Sequence, residues 1–103
     1  MNDAIARHQK MVDQFPQNEL ARFSLGKALY DAQQFTAAKE HFTVALAKKP
    51  DWMVVQILFG KCDLALGDKA AAKAAFQNAL QLAITQHHEG PQMEIEQALA
   101  ELA

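Results

Sequence analysis

Apolar residues recur every three or four positions along most of the chain, and the pattern itself returns after about 34 residues. Spacings of three and four place side chains on one face of an α-helix. The matching segments are Leu25-Gly26-Lys27 with Phe59-Gly60-Lys61, Ala37-Ala38-Lys39 with Ala71-Ala72-Lys73, and Phe42, Ala45 and Leu46 with Phe76, Ala79 and Leu80. A period of this length is typical of a helical hairpin that stacks on its own copies. The pattern therefore predicts an all-α protein.

Breaks in the pattern divide the chain into about six helices. Pro16, Pro50 and Gly67-Asp68 interrupt it, because proline cannot continue a helix and glycine followed by aspartate favours a turn. The predicted helices span residues 3–15, 19–32, 36–48, 52–66, 69–85 and 91–103. Residues 86–90 are expected to form a polar loop, and Pro91 suits the first position of the last helix.

Local signals add detail to two pairs of positions. Asn18 and Asp51 are expected to cap the second and fourth helices, since their short polar side chains accept hydrogen bonds from helix N-termini. Gly26 and Gly60 lie inside predicted helices, where each glycine costs roughly 1 kcal/mol relative to alanine. Their recurrence indicates that a neighbouring helix must approach closely at both positions.

Two motifs carry a resemblance to a known family. A large apolar residue followed by a small one occurs in the first helix of each unit, as Leu25-Gly26 and Phe59-Gly60. A small, aromatic, small series occurs in each second helix, as Ala38, Phe42 and Ala45, and as Ala72, Phe76 and Ala79. In both motifs the chain resembles the tetratricopeptide-repeat (TPR) family. The resemblance implies stacked antiparallel helical hairpins in an α-α superhelix.

The same resemblance divides one predicted domain, residues 1–103, into repeats. Residues 3–15 are expected to be the second helix of a half-repeat, 19–52 the first full repeat, 53–86 the second, and 91–103 a capping helix. The last helix is expected to cover the apolar side of the second repeat, because a repeat cannot bury its faces alone. His8 stands one period before Phe42, a difference that suits a terminal repeat.

The expected core follows from the apolar faces of these helices. It comprises Met11, Val12, Leu25, Leu29, Phe42, Leu46, Phe59, Phe76, Leu80, Ile95 and Leu99. Cys62 is expected to be a small buried thiol. Asp63 stands where the first repeat has Leu29. It is expected either at the groove edge, paired with Lys27 or Lys61, or in a surface loop, with Leu64 and Leu66 packing in its place.

Composition narrows the class of protein. The chain has 103 residues, half of them hydrophobic and 21% charged, with a formal net charge of −2. These values favour a folded helical protein and argue against a nucleic-acid partner, which normally meets a clustered basic surface. A single cysteine, the lack of a long apolar run and the absence of a signal-peptide pattern predict a cytoplasmic protein outside the membrane.

No set of residues predicts catalysis. His87-His88-Glu89 is the one cluster of metal-ligand residue types, but adjacent side chains diverge on a helix and no second ligand pair follows at a useful spacing. No His or basic group is placed to activate Cys62. Phosphate-binding loops and nucleophile elbows are also missing from the sequence. The expected protein is not an enzyme and has neither a metal site nor a cofactor.

In the TPR family, the first helices of successive repeats line a concave groove that holds a peptide. Helical spacing predicts two stripes for this groove, formed by Leu20, Phe23, Lys27 and Tyr30 on one helix and by Val54, Ile57, Lys61 and Leu64 on the other. The family's carboxylate-gripping variant needs polar groups where Phe23, Val54 and Leu58 stand here, so a different ligand is expected.

Two functions remain open from the sequence. The first is a non-catalytic scaffold that binds a peptide or helix segment of a protein partner, with an acidic group suited to the two lysines. The alternative is a self-assembling, homodimeric helical module that uses the apolar 52–59 surface. The groove itself is either open or filled by the last helix or by a second copy of the chain.

Overall fold

The computed structural model describes residues 3–102, and over these residues the protein is built from six α-helices. They are α1 (Asp3–Gln14), α2 (Glu19–Asp31), α3 (Phe35–Lys48), α4 (Met53–Ala65), α5 (Lys69–Thr85) and α6 (Glu89–Leu102). The chain divides after Pro50 into two compact units. The N-terminal unit contains α1, α2 and α3, and the C-terminal unit contains α4, α5 and α6. The prediction of an all-α protein with about six helices is confirmed.

Three of the turns between helices share one backbone geometry. Gln33, Gly67 and His87 each follow a helix end with a positive φ, of 62°, 83° and 58°. In each turn the next amide reaches back to the third carbonyl from the helix end, as in the bond from Gln34 N to Leu29 O at 2.8 Å. This is the Schellman arrangement, which satisfies carbonyls that the helix leaves unpaired.

The third of these turns corrects the expected start of the last helix. The turn occupies residues 86–88, and α6 begins at Glu89 rather than at Pro91. Pro91 lies in the first turn of α6, where a missing N–H breaks no helical bond. The predicted loop over 86–90 was too long because His87, unlike Gly67, gives no glycine signal for a left-handed residue.

Helix capping follows the sequence at one of the two predicted positions. The Asn18 side chain accepts a hydrogen bond from the Ala21 amide at 2.9 Å, as expected. Asp51 does not cap α4, because the chain enters that helix one residue later, at Trp52, whose side chain makes no capping bond. Asp68 caps α5 by accepting from the Ala71 amide at 3.0 Å.

In the N-terminal unit, α2 packs against both α1 and α3. At Gly26 the packing is tight, because an added Cβ would lie 2.6 Å from Cε1 of the Phe42 ring. Phe42 is fully buried. The glycine therefore makes room for the aromatic ring, and the close approach predicted at Gly26 is confirmed.

The C-terminal unit repeats this contact and adds a covering helix. A Cβ at Gly60 would lie 2.9 Å from Cε1 of Phe76, and α5 packs against both α4 and α6. Ile95 of α6 is 1% exposed and belongs to a cluster with Met53 and Phe76. The last helix thus packs on an apolar side of α5.

Burial corrects parts of the expected core. Met11 is 45% exposed, so its assignment to the core was wrong, whereas Val12 beside it is buried. Of the remaining predicted core residues, five are buried (Leu25, Leu29, Phe42, Phe76 and Ile95) and four are half-buried (Leu46, Phe59, Leu80 and Leu99). Alanines at the helix contacts were missed as core residues. They include Ala38, Ala45, Ala72 and Ala79, each fully buried.

Cys62 and Asp63 are neighbours near the end of α4, and both are buried. Cys62 is fully buried, as predicted. Asp63 is also fully buried, so the expectation of a surface position was wrong. Its carbonyl accepts a hydrogen bond from the Asp68 amide at 2.9 Å in the turn after α4. Between residues 3 and 102, none of the helices combines the length and the apolar character needed to cross a membrane.

Candidate functional site

The predicted stripe on α2 lies partly at the surface of the N-terminal unit. Leu20 is 61% exposed, and Phe23, Lys27 and Tyr30 are half-buried. The Phe23 ring lies 6.4 Å from the Phe42 ring, which ties it to the unit's core. The stripe therefore runs from an exposed leucine at the start of α2 to half-buried aromatic side chains, of which Phe23 packs on the buried Phe42 ring.

Lys27 sits at the centre of this stripe with defined neighbours. Its Nζ lies 2.7 Å from Oδ1 of Asp31, one helical turn later, in an exposed ion pair. The same Nζ lies 5.9 Å from the centre of the Tyr30 ring, within the range of a cation–π contact. Tyr30 in turn packs edge-on against Phe35 at 5.6 Å. Lys27 thus places a positive charge beside an aromatic surface, in an exposed ion pair with Asp31.

The predicted stripe on α4 is less open. Val54 and Leu64 are 45% and 42% exposed. Ile57 is half-buried and packs against the cluster that contains Ile95. Lys61 lies between them and pairs with Glu94 of α6 at 3.3 Å. The last helix therefore reaches this stripe and engages its lysine.

The surface suggested for self-association is mostly interior. Within the 52–59 stretch, Met53, Val55 and Leu58 are buried, and Trp52, Ile57 and Phe59 are half-buried. Val54 is the exposed large apolar side chain in this stretch. A helix that is apolar nearly all round is covered on several sides, and α4 follows that rule.

A cleft in the N-terminal unit was missed by the sequence reasoning. Its volume is about 330 Å³, and it lies between α1 and α2. The lining residues are His8, Met11, Phe15, Asn18, Leu20, Ala21 and Ser24. Two of these lining residues, Met11 and Phe15, are exposed apolar side chains. Their presence in a half-repeat was the signal that could have revealed it, since a half-repeat leaves one helix face without its usual partner.

A polar cluster in the N-terminal unit joins Arg22 of α2 to the α1–α2 turn and to α3. The Arg22 guanidinium donates to the Pro16 carbonyl at 2.8 Å and lies 3.0 Å, at Nη1, from Nδ1 of His41. Burial and the nearby Arg22 charge lower the pKa of His41, and Glu40 opposes this shift. Because the cluster joins the α1–α2 turn to α3, its role is to hold the unit together.

The described residues contain no group of three or more His, Cys, Asp or Glu side chains placed to hold a metal ion. His87 occupies the left-handed turn position and His88 the position after it, while Glu89 begins α6. The three residues of this cluster therefore belong to a helix connection.

Comparisons with known proteins agree with this architecture. The tetratricopeptide-repeat family model matches residues 1–54. A TPR repeat-containing protein of Pseudomonas aeruginosa, PA0015, is 35% identical over 77 residues, which cover 75% of this chain and 73% of that protein. The chain belongs to the tetratricopeptide-repeat family.

Two solved structures share the fold over nearly the whole chain. The solution structure of protein BPP2914 from Bordetella parapertussis has a TM-score of 0.85 and 31% identity, covering 99% of this chain and 89% of that one. The first TPR domain of Spaghetti (RPAP3), bound to the HSP90 peptide SRMEEVD, has a TM-score of 0.76 and 22% identity, covering 93% and 77%. The second likeness extends to the fold alone.

Proposed function

We propose that this protein is a non-catalytic protein-interaction module that binds a peptide or helix segment of a partner protein. The binding residues are the stripe Leu20, Phe23, Lys27 and Tyr30 on α2 and the stripe Val54, Ile57, Lys61 and Leu64 on α4. The observation that carries the proposal is the exposure of Leu20, Val54 and Leu64 on the first helices of TPR hairpins. Large apolar side chains held at the surface beside a lysine suit an apolar segment that bears an acidic group.

The chemistry of the stripes favours an amphipathic helix or apolar peptide over a peptide gripped by its terminal carboxylate. Lys27 and Lys61 already have carboxylate partners, Asp31 and Glu94. Both pairs are exposed, so an acidic ligand group can replace either partner at small cost. The SRMEEVD peptide is bound by the related fold of RPAP3, but Phe23, Val54 and Leu58 here supply apolar groups where a carboxylate network needs polar ones.

The test uses two labelled peptides and fluorescence anisotropy. One is a synthetic amphipathic helix of leucine, alanine and glutamate, about 18 residues or five turns long, and the other is SRMEEVD. We expect the amphipathic peptide to bind more tightly. Leu20→Ala should weaken its binding about tenfold, since an apolar anchor that becomes buried on binding contributes more than 1 kcal/mol. Binding of SRMEEVD alone would contradict the proposed class of partner.

Lysine variants test the placement of the surface. Lys27→Glu combined with Lys61→Glu should weaken the amphipathic peptide further and reduce the salt dependence of its binding. Lys48→Glu combined with Lys73→Glu makes the same change in net charge at exposed positions on α3 and α5, and it should bind like the parent. Equal affinities for the two double variants would show that the peptide does not use the proposed stripes.

The alternative, a homodimer formed through the 52–59 surface, has less support. Most of that surface is already buried within the single chain, and Val54 alone offers too little area for a stable dimer. A Val54→Glu variant distinguishes the two functions. It should reduce peptide binding while leaving the solution mass unchanged, whereas a drop in mass would favour the homodimer.

A further inference from the structure

The stripe on α2 borders a groove whose other wall is α1. The cleft of about 330 Å³ contains Leu20 of the stripe, and it also contains Met11 and Phe15 from the α1 side. A second hollow of about 290 Å³ contains Phe23 and Lys27 of the stripe. Three of the four stripe residues on α2 therefore line hollows that α1 helps to form.

The two hollows form one groove along the helix pair. His8 of α1 and Ser24 of α2 line both of them. On α2 the lining residues extend from Leu20 to Asp31, which is about 16 Å at the rise of an α-helix. A groove of this length suits an elongated segment better than a compact small molecule. Because two packed helices form its walls, it has the form that receives a third helix.

One end of the groove, the cleft, is apolar and open. Met11 is 45% exposed, Phe15 is 53% exposed and Leu20 is 61% exposed. Exposed apolar side chains around a cleft gain free energy when an apolar group of a partner removes them from water. A cleft of this volume with mainly apolar walls is of the kind that holds an apolar ligand group. The cleft therefore suits a large apolar side chain.

Charge lies at the other end of the groove. Among the described residues that line it, Lys27 and Asp31 carry the formal charges, and they pair with each other at 2.7 Å. The pair is exposed, so an acidic group of a partner can compete with Asp31 for Lys27 at small cost. Lys27 follows Leu20 by seven residues, which is about 10 Å along the α2 axis. A partner that uses both ends needs an apolar and an acidic group at about this separation.

We propose that the groove between α1 and α2 receives a helical segment of the partner protein, with a large apolar residue in the cleft and an acidic residue at Lys27. On a helix, residues about seven positions apart lie on one face and about 10 Å from each other. Met11 and Phe15 are then binding residues in addition to the stripe on α2. This inference rests on the proposed peptide-binding function and specifies the kind of segment that the N-terminal unit takes.

The first test varies the spacing in the peptide. Two labelled helices of about 18 residues consist of alanine and glutamine with one tryptophan and one glutamate. In one peptide these two residues are seven positions apart on the same face, and in the other they are five positions apart on opposite faces. Fluorescence anisotropy should show that the parent binds the first peptide about threefold more tightly, which is the effect of one exposed ion pair. Lys27→Gln should abolish the difference.

The second test varies the wall that α1 supplies. Met11→Ala and Phe15→Ala should each weaken binding of the first peptide by about threefold to tenfold, since each removes an apolar contact with the tryptophan. Met93→Ala is the matched control, because Met93 is a 71% exposed methionine on α6 of the C-terminal unit. It should bind like the parent, and circular dichroism should show all three variants folded.

The outcomes separate this inference from the proposed function. If Leu20→Ala weakens peptide binding while Met11→Ala and Phe15→Ala bind like the control, the peptide does not use the α1 wall and the inference is overturned. Equal affinities for the two spacings would also overturn it. A parent that binds the amphipathic leucine peptide but neither tryptophan peptide would overturn this inference alone, whereas a parent that binds none of the three would overturn the proposed function as well.

The solution mass tests a second copy of the chain as the occupant. The parent should remain at 11.4 kDa at the concentrations used for anisotropy. Self-association of the parent that Phe15→Ala abolishes would place a second copy in the groove and would overturn the proposal.

Discussion

Glycine and phenylalanine form the central contact in both hairpins. Gly26 meets Phe42 in the N-terminal unit, and Gly60 meets Phe76 in the C-terminal unit. Because the ring occupies the space that a Cβ would need, the preference of helices for alanine is reversed at these positions. The same residue type therefore has opposite effects at different places in the chain.

Gly26→Ala should destabilise the protein by about 1–3 kcal/mol, because the clash with the buried Phe42 ring outweighs a helix-propensity gain of about 1 kcal/mol. Gly90→Ala is the control, since its Cβ would meet nothing within 4 Å in the first turn of α6. That variant should be neutral or more stable. Urea denaturation of both variants measures the difference, and a stabilising Gly26→Ala would contradict the packing described.

Residues with a left-handed backbone conformation allow a second test by single substitutions. Gln33 and His87 occupy a conformation that glycine adopts without strain, as Gly67 does in the equivalent turn. Gln33→Gly and His87→Gly should each raise the free energy of unfolding by about 0.5–1 kcal/mol. Gly67→Ala should lower it by a similar amount. Thermal melts of the three variants compare them, and a loss of stability in both glycine variants would be inconsistent with the Schellman turns.

The His41 cluster predicts a pH dependence. Folding lowers the pKa of the His41 imidazole from 6.5. His41 therefore takes up a proton more readily in the unfolded chain than in the folded protein. The contribution of neutral His41 to the free energy of unfolding is present above about pH 6.5, and it is lost as the pH falls toward the lowered pKa of the folded state. Melting temperatures at about pH 7.5 and about pH 5.5 should differ less in His41→Asn than in the parent.

Arg22→Gln separates the causes of this effect. It removes the Arg22 charge but leaves His41 partly buried, so part of the loss of stability at acid pH should remain. An unchanged pH dependence in His41→Asn would show that His41 is not the group responsible.

At the scale of whole helices, α6 adds Ile95 to the core of the C-terminal unit. It begins directly after a Schellman turn and places Ile95 in a cluster with residues of α4 and α5. Its glutamates remain at the surface, one of them paired with Lys61. Packing along one face therefore stabilises α6.

Ile95→Ala should destabilise the protein by about 2–5 kcal/mol, because it leaves a cavity among α4, α5 and α6. Leu99→Ala, at a half-buried position in the same helix, should cost less. Urea denaturation followed by circular dichroism measures both. Equal losses would mean that α6 does not pack through Ile95.

For the whole molecule, the reactivity of the Cys62 thiol reports how often the folded structure around it opens. Its side chain is fully buried, so a thiol reagent should modify it only when the surrounding structure opens. Labelling should be slow in the parent and should speed up in urea. It should also be faster in Ile95→Ala, because a less stable unit opens more often. Rapid labelling of the native parent would contradict the burial of Cys62.

Sequence periodicity determined the helices and the fold. The 34-residue spacing of Gly26 and Gly60 and of Phe42 and Phe76 predicted two equivalent hairpins, and packing between these residues holds each hairpin together. Helix-forming patterns are local, so they can be recognised without knowledge of the partner helix. The resemblance to the TPR family and the close contacts at the two glycines followed from the same positions.

Tertiary structure alone decided which side chains remain at the surface. Met11 was expected in the core and is exposed, whereas Asp63 was expected at the surface and is buried. Exposure depends on the helices packed around a position and not on the hydrophobicity of the residue itself. The partners of Lys27 and Lys61 likewise required coordinates: Asp31 lies one turn away, whereas Glu94 comes from another helix. The cleft between α1 and α2 depends on the same non-local packing, because the sequence marks apolar residues but does not specify how the two helices pack.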